Sequence, residues 1–421
     1  MSGKFPVRKL QSTSTIVHLT LTQSTDTEID WKAYNQQIAL YLSGERDYTK
    51  IHGDTGPLVY PAAHVYIYRL LHHLTDSGTK IHLAQHIFIG LYLATLALVL
   101  TTYRQAKVPP WVLPMLVLSK RMHSIFMLRL FNDGFAVFFL FAAIFAWQRR
   151  MWTVGSVLFS FGLGVKMSLL LALPAVGAVL LQGMGRDRAL KQAVLMCQVQ
   201  VSERALRRTA MRLTTTVQIM LGYEFLAAHP RSYLTRAFEF SRQFMFKWTV
   251  NWRFVGEETF LSRPFSLALL SVHAALILAF LQPRWLKPAG VDWSTLPRWV
   301  LRLYDPPPMI EERISRRITP AFILSAILSS IVIGCLCARS LHYQFYAYLA
   351  WSTPFLLWRS GLHPVLVYLI WAAQEWAWNV YPSTNASSAV VVACLAVTTG
   401  ASWVALDKPD ELLPATKPKH S

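Results

Sequence analysis

Residues 321–337 read AFILSAILSSIVIGCLC, a run without a single charge and apolar on every face of a helix. A core helix of a soluble protein shows an apolar stripe and a polar back. One that is apolar all round is enclosed by protein or by lipid. Blocks of the same character recur at 84–102, 108–118, 135–147, 154–165, 168–181, 265–281, 343–358, 362–378 and 388–406, with a weaker one at 217–228. This repetition implies an all-α, polytopic transmembrane protein. Several blocks fall short of the ~20 residues a straight span needs. Those are expected to be broken helices or to run into polar flanks, which is tolerated where backbone lines a protein-buried cavity.

Composition agrees. Of 421 residues 53% are hydrophobic and 15% charged, against roughly 25% charged in soluble chains. Lys and Arg number 41 and Asp and Glu 22, a formal charge of +19. A surplus of that size can signal nucleic acid or anionic lipid. Here the bases fall in short segments between apolar blocks and no aromatic-basic module is present, so nucleic acid is not an expected partner. Cys197, Cys335, Cys337 and Cys394 lie in or beside apolar stretches without the paired spacing of zinc ligands, so they read as small buried hydrophobes. The stretch 1–29 contains no apolar core of signal-peptide length.

The segments 104–107, 149–150, 186–212 and 284–317 are basic and recur on every second side. The positive-inside rule assigns them to the cytosol. The alternate set, 26–80, 120–133, the surroundings of Lys166, 229–263, 339–342 and 379–387, then faces the lumen. Segment 229–263 carries Arg231, Arg236, Arg242, Lys247, Arg253 and Arg263, an excess explained if these bases meet lipid phosphates. The tail Lys417-Pro-Lys419-His-Ser fits either a cytosolic Lys-x-Lys-x-x retrieval signal or simple solubilising charge. Asn385-Ala-Ser387 is a glycosylation sequon in the last lumenal loop.

Five constellations could carry chemistry, each beside a plainer reading. In Thr27-Glu-Ile-Asp30-Trp31, Asp30 closes a capping box with Thr27 or serves as a general base toward a sugar hydroxyl. Tyr34, Ile38 and Tyr41 beyond it suggest an amphipathic helix lying along the membrane surface. In the run 52–62, HGDTGPLVYPA, Gly and Pro specify tight turns from which His52 and Asp54 project, as a bare turn or as part of a sugar site. In HSIFMLRLFNDG (123–134), Arg129 and Asp133 are spaced to pair on one helix face; ionisable groups in apolar sequence mark a cavity or pathway. Lys247, Asn251 and Arg253 occur in KWTVNWRF, which also reads as an aromatic interfacial belt with snorkelling bases. Finally Arg339, His342, Tyr343 and Tyr346 fall at helical spacing, as a phosphate-binding stripe or an interface anchor. No Asp-x-Asp, P-loop, His-Glu-x-x-His or nucleophile elbow occurs.

Those runs, with TEIDWKAY (27–34), SRQFMFKWTVNWRFVGEETFLSR (241–263), RSLHYQFYAYLAWSTPFLLW (339–358) and WNVYPSTNASS (378–388), closely resemble the dolichyl-phosphate-mannose-dependent α-1,3-mannosyltransferases of the endoplasmic reticulum. The resemblance runs from Thr27 to Ser388. It implies a GT-C glycosyltransferase domain over 27–406, followed by a cytosolic tail over 407–421, in a multi-pass membrane protein of that organelle serving N-glycan precursor synthesis. It implies inverting transfer without cofactor or metal, between a dolichyl-phosphate-mannose donor and a five-mannose dolichyl-diphosphate oligosaccharide acceptor. It also implies that Asp30 is the base, with Lys247, Arg253, Arg339 or His342 offsetting charge on the departing phosphate. Two stretches depart from the family pattern: 1–26, where a first transmembrane helix is normal, and 197–216, which is polar instead of apolar. Other readings stay open: a different dolichyl-phosphate-sugar transferase, a lipid-linked sugar transporter, or an inactive remnant.

Overall fold

The computed structural model describes residues 29–196, 217–239, 245–301 and 303–408. The two divergent stretches, the Lys-x-Lys tail, Thr27 and Cys197 lie outside the described residues. Helix α1 (Ile29–Leu42) leads into a two-residue antiparallel hairpin, β1 (His52–Gly53) on β2 (Gly56–Pro57), with His52 opposite Pro57. α2 (Ala62–Leu74) and α3 (Ile81–Gln105) follow. A short α4 (Lys120–His123), continued by the π-helical turn Ser124–Leu128, precedes α5 (Asp133–Gln148), α6 (Trp152–Val165) and α7 (Met167–Met184), whose first turns are 3-10. The rest of the bundle is α8 (Arg263–Phe280), α9 (Pro320–Cys337), α10 (Pro364–Asn379) and α11 (Asn385–Asp407).

Five described helical segments are long and apolar enough to cross a membrane: α3, α7, α9, α11, and α8 with its continuation to Ala289. The segment Lys120–Leu128 and α5 are apolar and long enough only together and meet at 112°, the bend of a broken span or a re-entrant loop. Two expected blocks are not continuous helices. Pro109, Pro110 and Pro114 reduce 108–118 to a 3-10 turn and one helical turn, because proline removes the donor that would continue a helix. Residues 343–358 break into Tyr343–Phe345, Tyr346–Leu349 and Thr353–Ser360. Three of the long helices start with side-chain caps: Ser262 accepts from Phe265 N, Thr319 from Phe322 N and Thr384 from Ser387 N. The sequon therefore sits in the capping box of α11, its Ser387 hydroxyl bonded to Thr384 N at 2.9 Å.

The apolar stretch of α9 is 83% buried, against 11% for α8, so α9 is the axis of the bundle and α8 its rim. Helices gain no hydrophobic advantage from leaving lipid for one another, so association rests on close packing and interhelical hydrogen bonds. Close packing comes from small residues. A Cβ on Gly155 or Gly162 of α6 would stand 2.4 Å from Trp147 or 2.7 Å from Leu169, and one on Gly334 of α9 2.7 Å from Leu171. Hydrogen bonds supplement it: Trp285 Nε1 to Ser329 Oγ (3.0 Å), Ser330 Oγ to the Leu171 carbonyl (2.6 Å) and Tyr103 OH to the Trp351 carbonyl (2.8 Å).

The loops gather in two separate groups that match the charge-based sorting. In the basic group Arg150 donates to the Ile318 carbonyl, Arg186 pairs with Asp305, and Lys287 meets Asp407 at 2.5 Å. The other group builds the site described next. α1 is helical as expected but does not lie free on a surface. Trp31, Tyr34, Ile38 and Tyr41 are buried in a second core with Tyr48, Tyr68, Phe225 and Tyr233. The weak block, helical over Val217–Ala228, clamps this core: Glu224 accepts from Tyr41 OH (2.8 Å) and from Arg46 (3.1 Å).

Candidate functional site

Asp30 stands in the first turn of α1. Burial raises its carboxyl above the ordinary 3.8; the Arg129 and Lys166 cations pull it back and Asp133 adds to the rise. Its electrostatic neighbours thus come from two segments distant in sequence that the bundle folds against α1. Beside it the rings of Tyr34, Tyr60, His64 and Tyr68 pack at centroid distances of 4.5 to 4.9 Å, edge-on in Tyr34–His64 and Tyr34–Tyr68 and tilted in Tyr60–His64 and His64–Tyr68. Burial, with Lys166 nearby, drops the His64 imidazole to about 3, so it stays neutral. Its Nδ1 lies 3.2 Å from the Asn132 amide, and its buried Nε2 has no hydrogen-bond partner among the described residues.

The bend between α4 and α5 arranges the cations. Leu130 has φ +53, a left-handed conformation costly for a branched residue, and Tyr68 OH holds its carbonyl at 2.7 Å. This turn corrects one expectation. Arg129 and Asp133 do not pair on one helix face, because the chain reverses between them. Asp133 instead binds Lys166 at 2.5 Å, with neither side chain more than 11% exposed. Lys166 also donates to Asn132 Oδ1 (3.3 Å), and its ammonium lies 5.6 Å from the Tyr60 ring centroid and 5.9 Å from that of Phe345.

A second cluster forms where the loop 247–255 meets the segment 338–346. Asn251 is fully buried and joins them: Nδ2 donates to the Ala338 carbonyl and Oδ1 accepts from Leu341 N, both at 2.7 Å. Trp252 turns through φ +53, and Ser388 Oγ accepts from Arg253 N at 3.0 Å, fixing the loop to the start of α11. Arg253 then lies 4.8 Å from the Phe246 ring centroid and Arg339 5.9 Å from that of Phe260, the two rings being edge-on at 5.2 Å. Arg339 donates to Ser266 Oγ (2.8 Å) and Lys247 covers Trp248 at 4.7 Å. The expectation of one helical stripe through Arg339, His342, Tyr343 and Tyr346 fails, because α9 stops at Cys337. The chain then runs extended to His342 and turns 3-10 from Tyr343 to Phe345. Tyr343 OH is bonded to the Val380 carbonyl and Tyr346 OH to Glu375, both at 2.7 Å.

His52 and Asp54 do not join either cluster. Gly53 rests on α1 so closely that a Cβ would stand 2.5 Å from the Ala33 carbonyl oxygen. Asp54 contacts Lys32 at 3.5 Å and, through its N–H, Gln36 at 2.8 Å. At ~100° per residue, Lys32 and Gln36 lie on the flank of α1 opposite Asp30. A groove of about 700 Å³ lined by Trp31, Lys32, Asn35, Gln36 and His72 opens on that same outer flank.

Lys166, Tyr60 and His64 were not singled out as site residues from sequence. A lone Lys between GLGV and MS reads as a snorkelling base, and its carboxylate partner is 33 residues away. The one available signal was the cost of an ionisable group in apolar sequence.

The family described as ALG3 protein matches residues 9–205 and 202–388. A Neurospora crassa protein named Dol-P-Man:Man(5)GlcNAc(2)-PP-Dol alpha-1,3-mannosyltransferase is 58% identical over 379 residues, 90% of this chain and 82% of that protein. Proteins of the same name from Homo sapiens and Mus musculus are 41% and 40% identical, over 90% and 93% of this chain and 81% and 84% of theirs. No solved structure matches.

Proposed function

The chain belongs to the ALG3 protein family, and from that premise we infer both its reaction and the residues that perform it. It is a polytopic membrane enzyme that transfers mannose from dolichyl-phosphate-mannose to Man(5)GlcNAc(2)-PP-dolichol, forming an α-1,3 linkage. The endoplasmic reticulum is its membrane and the lumen the side of reaction, a reading supported by the basic loops and by the gathering of every motif at the opposite end of the spans. Residues 27–406 act as one catalytic domain.

The observation that carries the mechanism is a half-buried carboxylate flanked by two cations and aromatic rings. Asp30 accepts the proton of the acceptor mannose 3-hydroxyl as that oxygen attacks C1 of the donor. The C1–O bond to phosphate breaks, the electron pair leaves with dolichyl phosphate, and the β-linked sugar inverts to α. Negative charge therefore grows on the phosphate and needs fixed positive charge around it. Arg129, Lys247, Arg253, Arg339 and His342 are the groups proposed for that role, with Tyr343 lining it. Asp133 acts through Lys166 by holding it beside Asp30. Asn251 acts as a stitch that places Arg253. His52 and Asp54 would meet the acceptor glycan only at the outer flank of α1.

The test is transfer in membranes or detergent with dolichyl-phosphate-mannose and the five-mannose lipid-linked acceptor. One added mannose, removed by an α-1,3-specific mannosidase, is the expected product. A folded protein that yields none, or a different linkage, refutes the reading.

A further inference from the structure

Arg121 lies between the two clusters, on α4. Its guanidinium carbon stands 4.6 Å from the Tyr343 ring centroid. The Tyr343 hydroxyl is already committed to the Val380 carbonyl, and Arg253 acts on that tyrosine from the loop side. Arg129 is within electrostatic reach of Arg121, as is Glu375. That glutamate, however, is bonded to Tyr346 OH at 2.7 Å and Asn379 Nδ2 at 3.1 Å. Among the described residues the Nε of Arg121 is buried with no hydrogen-bond partner, and no carboxylate comes within ion-pair distance of Arg121, Arg129 or Arg253.

Burying part of a guanidinium without a counter-charge is costly. Here Glu375 answers the charge without pairing with it, while a like charge, Arg129, stands on one side and the edge of a second cationic cluster on the other. A fork of N–H donors placed over a tyrosine ring, with its Nε lacking an acceptor, suits a phosphate monoester or diester. Arg69, near the Tyr41 ring at 5.9 Å, lies outside this line of cations. Arg46, by contrast, is already paired with Glu224.

We propose that Arg121, stacked on Tyr343 between Arg129 and Arg253, binds the phosphate of a polyprenyl-linked substrate and joins the two basic clusters into one anion site. The inference rests on the mannosyltransferase reading and adds a residue to it. Both substrates bring phosphate, the donor as a monophosphate diester and the acceptor as a diphosphate, and either could occupy the fork.

The experiment measures initial rates for wild type, Arg121→Gln and Arg121→Lys, varying each substrate with the other saturating. Competition by polyprenyl phosphate and by polyprenyl diphosphate is added. Loss of a charge-assisted hydrogen-bonded pair corresponds to about 10- to 100-fold in affinity. The expected result is a rise of that order in one KM for Arg121→Gln. A smaller, severalfold rise is expected for Arg121→Lys, which keeps the charge but loses the fork. A change confined to donor KM and polyprenyl phosphate inhibition assigns the donor's phosphate. A change confined to acceptor KM and diphosphate inhibition assigns the acceptor's. Unchanged KM and inhibition constants in both variants overturn the proposal. If Arg121→Gln does not fold, Arg121→Lys decides alone by the same criterion. Absence of transfer by wild type would instead refute the reaction on which the proposal rests.

Discussion

Replacing Lys166 with methionine should damage the protein more than any other single loss of charge in it. Asp133 is fully buried and Lys166 is 9% exposed. Among the described residues Asp133 Oδ1 has no hydrogen-bond partner, while Oδ2 is held by the Lys166 ammonium at 2.5 Å and the Tyr348 hydroxyl also acts on the carboxylate. Lys166→Met therefore leaves a buried carboxylate without its counter-charge, and removing one partner of a buried pair costs about 3–5 kcal/mol. Asp133→Asn is milder, because Lys166 keeps Asn132 Oδ1 and gains an amide oxygen; a charged hydrogen bond is worth about 1.5–3 kcal/mol. The double variant removes both charges and should cost at least ~2 kcal/mol less than the two singles together, since contacting residues are non-additive on that scale. Equilibrium unfolding of the purified protein in mixed micelles, followed by tryptophan fluorescence, measures all three. Singles that cost under ~0.5 kcal/mol, or a double variant that equals their sum within that margin, would refute the reasoning.

Two further outcomes concern the site. Arg129 lowers the Asp30 carboxyl pKa, against the larger effect of burial that raises it. Removing the cation in Arg129→Gln lets it rise further, so the base form is lost at higher pH and the acid limb of kcat/KM moves upward. An acid limb that stays in place or moves down contradicts the assignment of that limb to Asp30. Asn251→Ala strands the Leu341 N–H and the Ala338 carbonyl in the interior, at about 1–3 kcal/mol for such a group. A thermal midpoint equal to wild type would show that Asn251 does not hold the two segments together.

The spans were legible because the burial of backbone in lipid demands long apolar helices, and 84–102, 265–281, 321–337 and 388–406 satisfy that demand locally. What failed was helical spacing extended through turns. Arg129 and Asp133 are four apart, but Leu130 at φ +53 breaks the helix between them. Likewise Arg339 lies beyond the end of one helix and Tyr346 at the start of another, with extended chain and a 3-10 turn between. Helical phase cannot be carried across a residue whose backbone is set by a distant hydrogen bond, here from Tyr68. The aromatic face of α1 was visible at Tyr34, Ile38 and Tyr41. That it meets Phe225 and Tyr233 instead of lipid depends on a segment nearly 200 residues away in sequence. The proposal of Asp30 as the base came from the family resemblance, since its own sequence neighbourhood also fits a helix cap.

The most direct test of the account compares wild type with Asp30→Asn, a change of one oxygen to NH₂ that preserves shape. With both proteins folded to the same thermal midpoint, the account predicts mannose transfer by wild type and a loss of at least about 100-fold in kcat for the variant, the scale of general-base catalysis. Transfer by Asp30→Asn at a rate near wild type would contradict it.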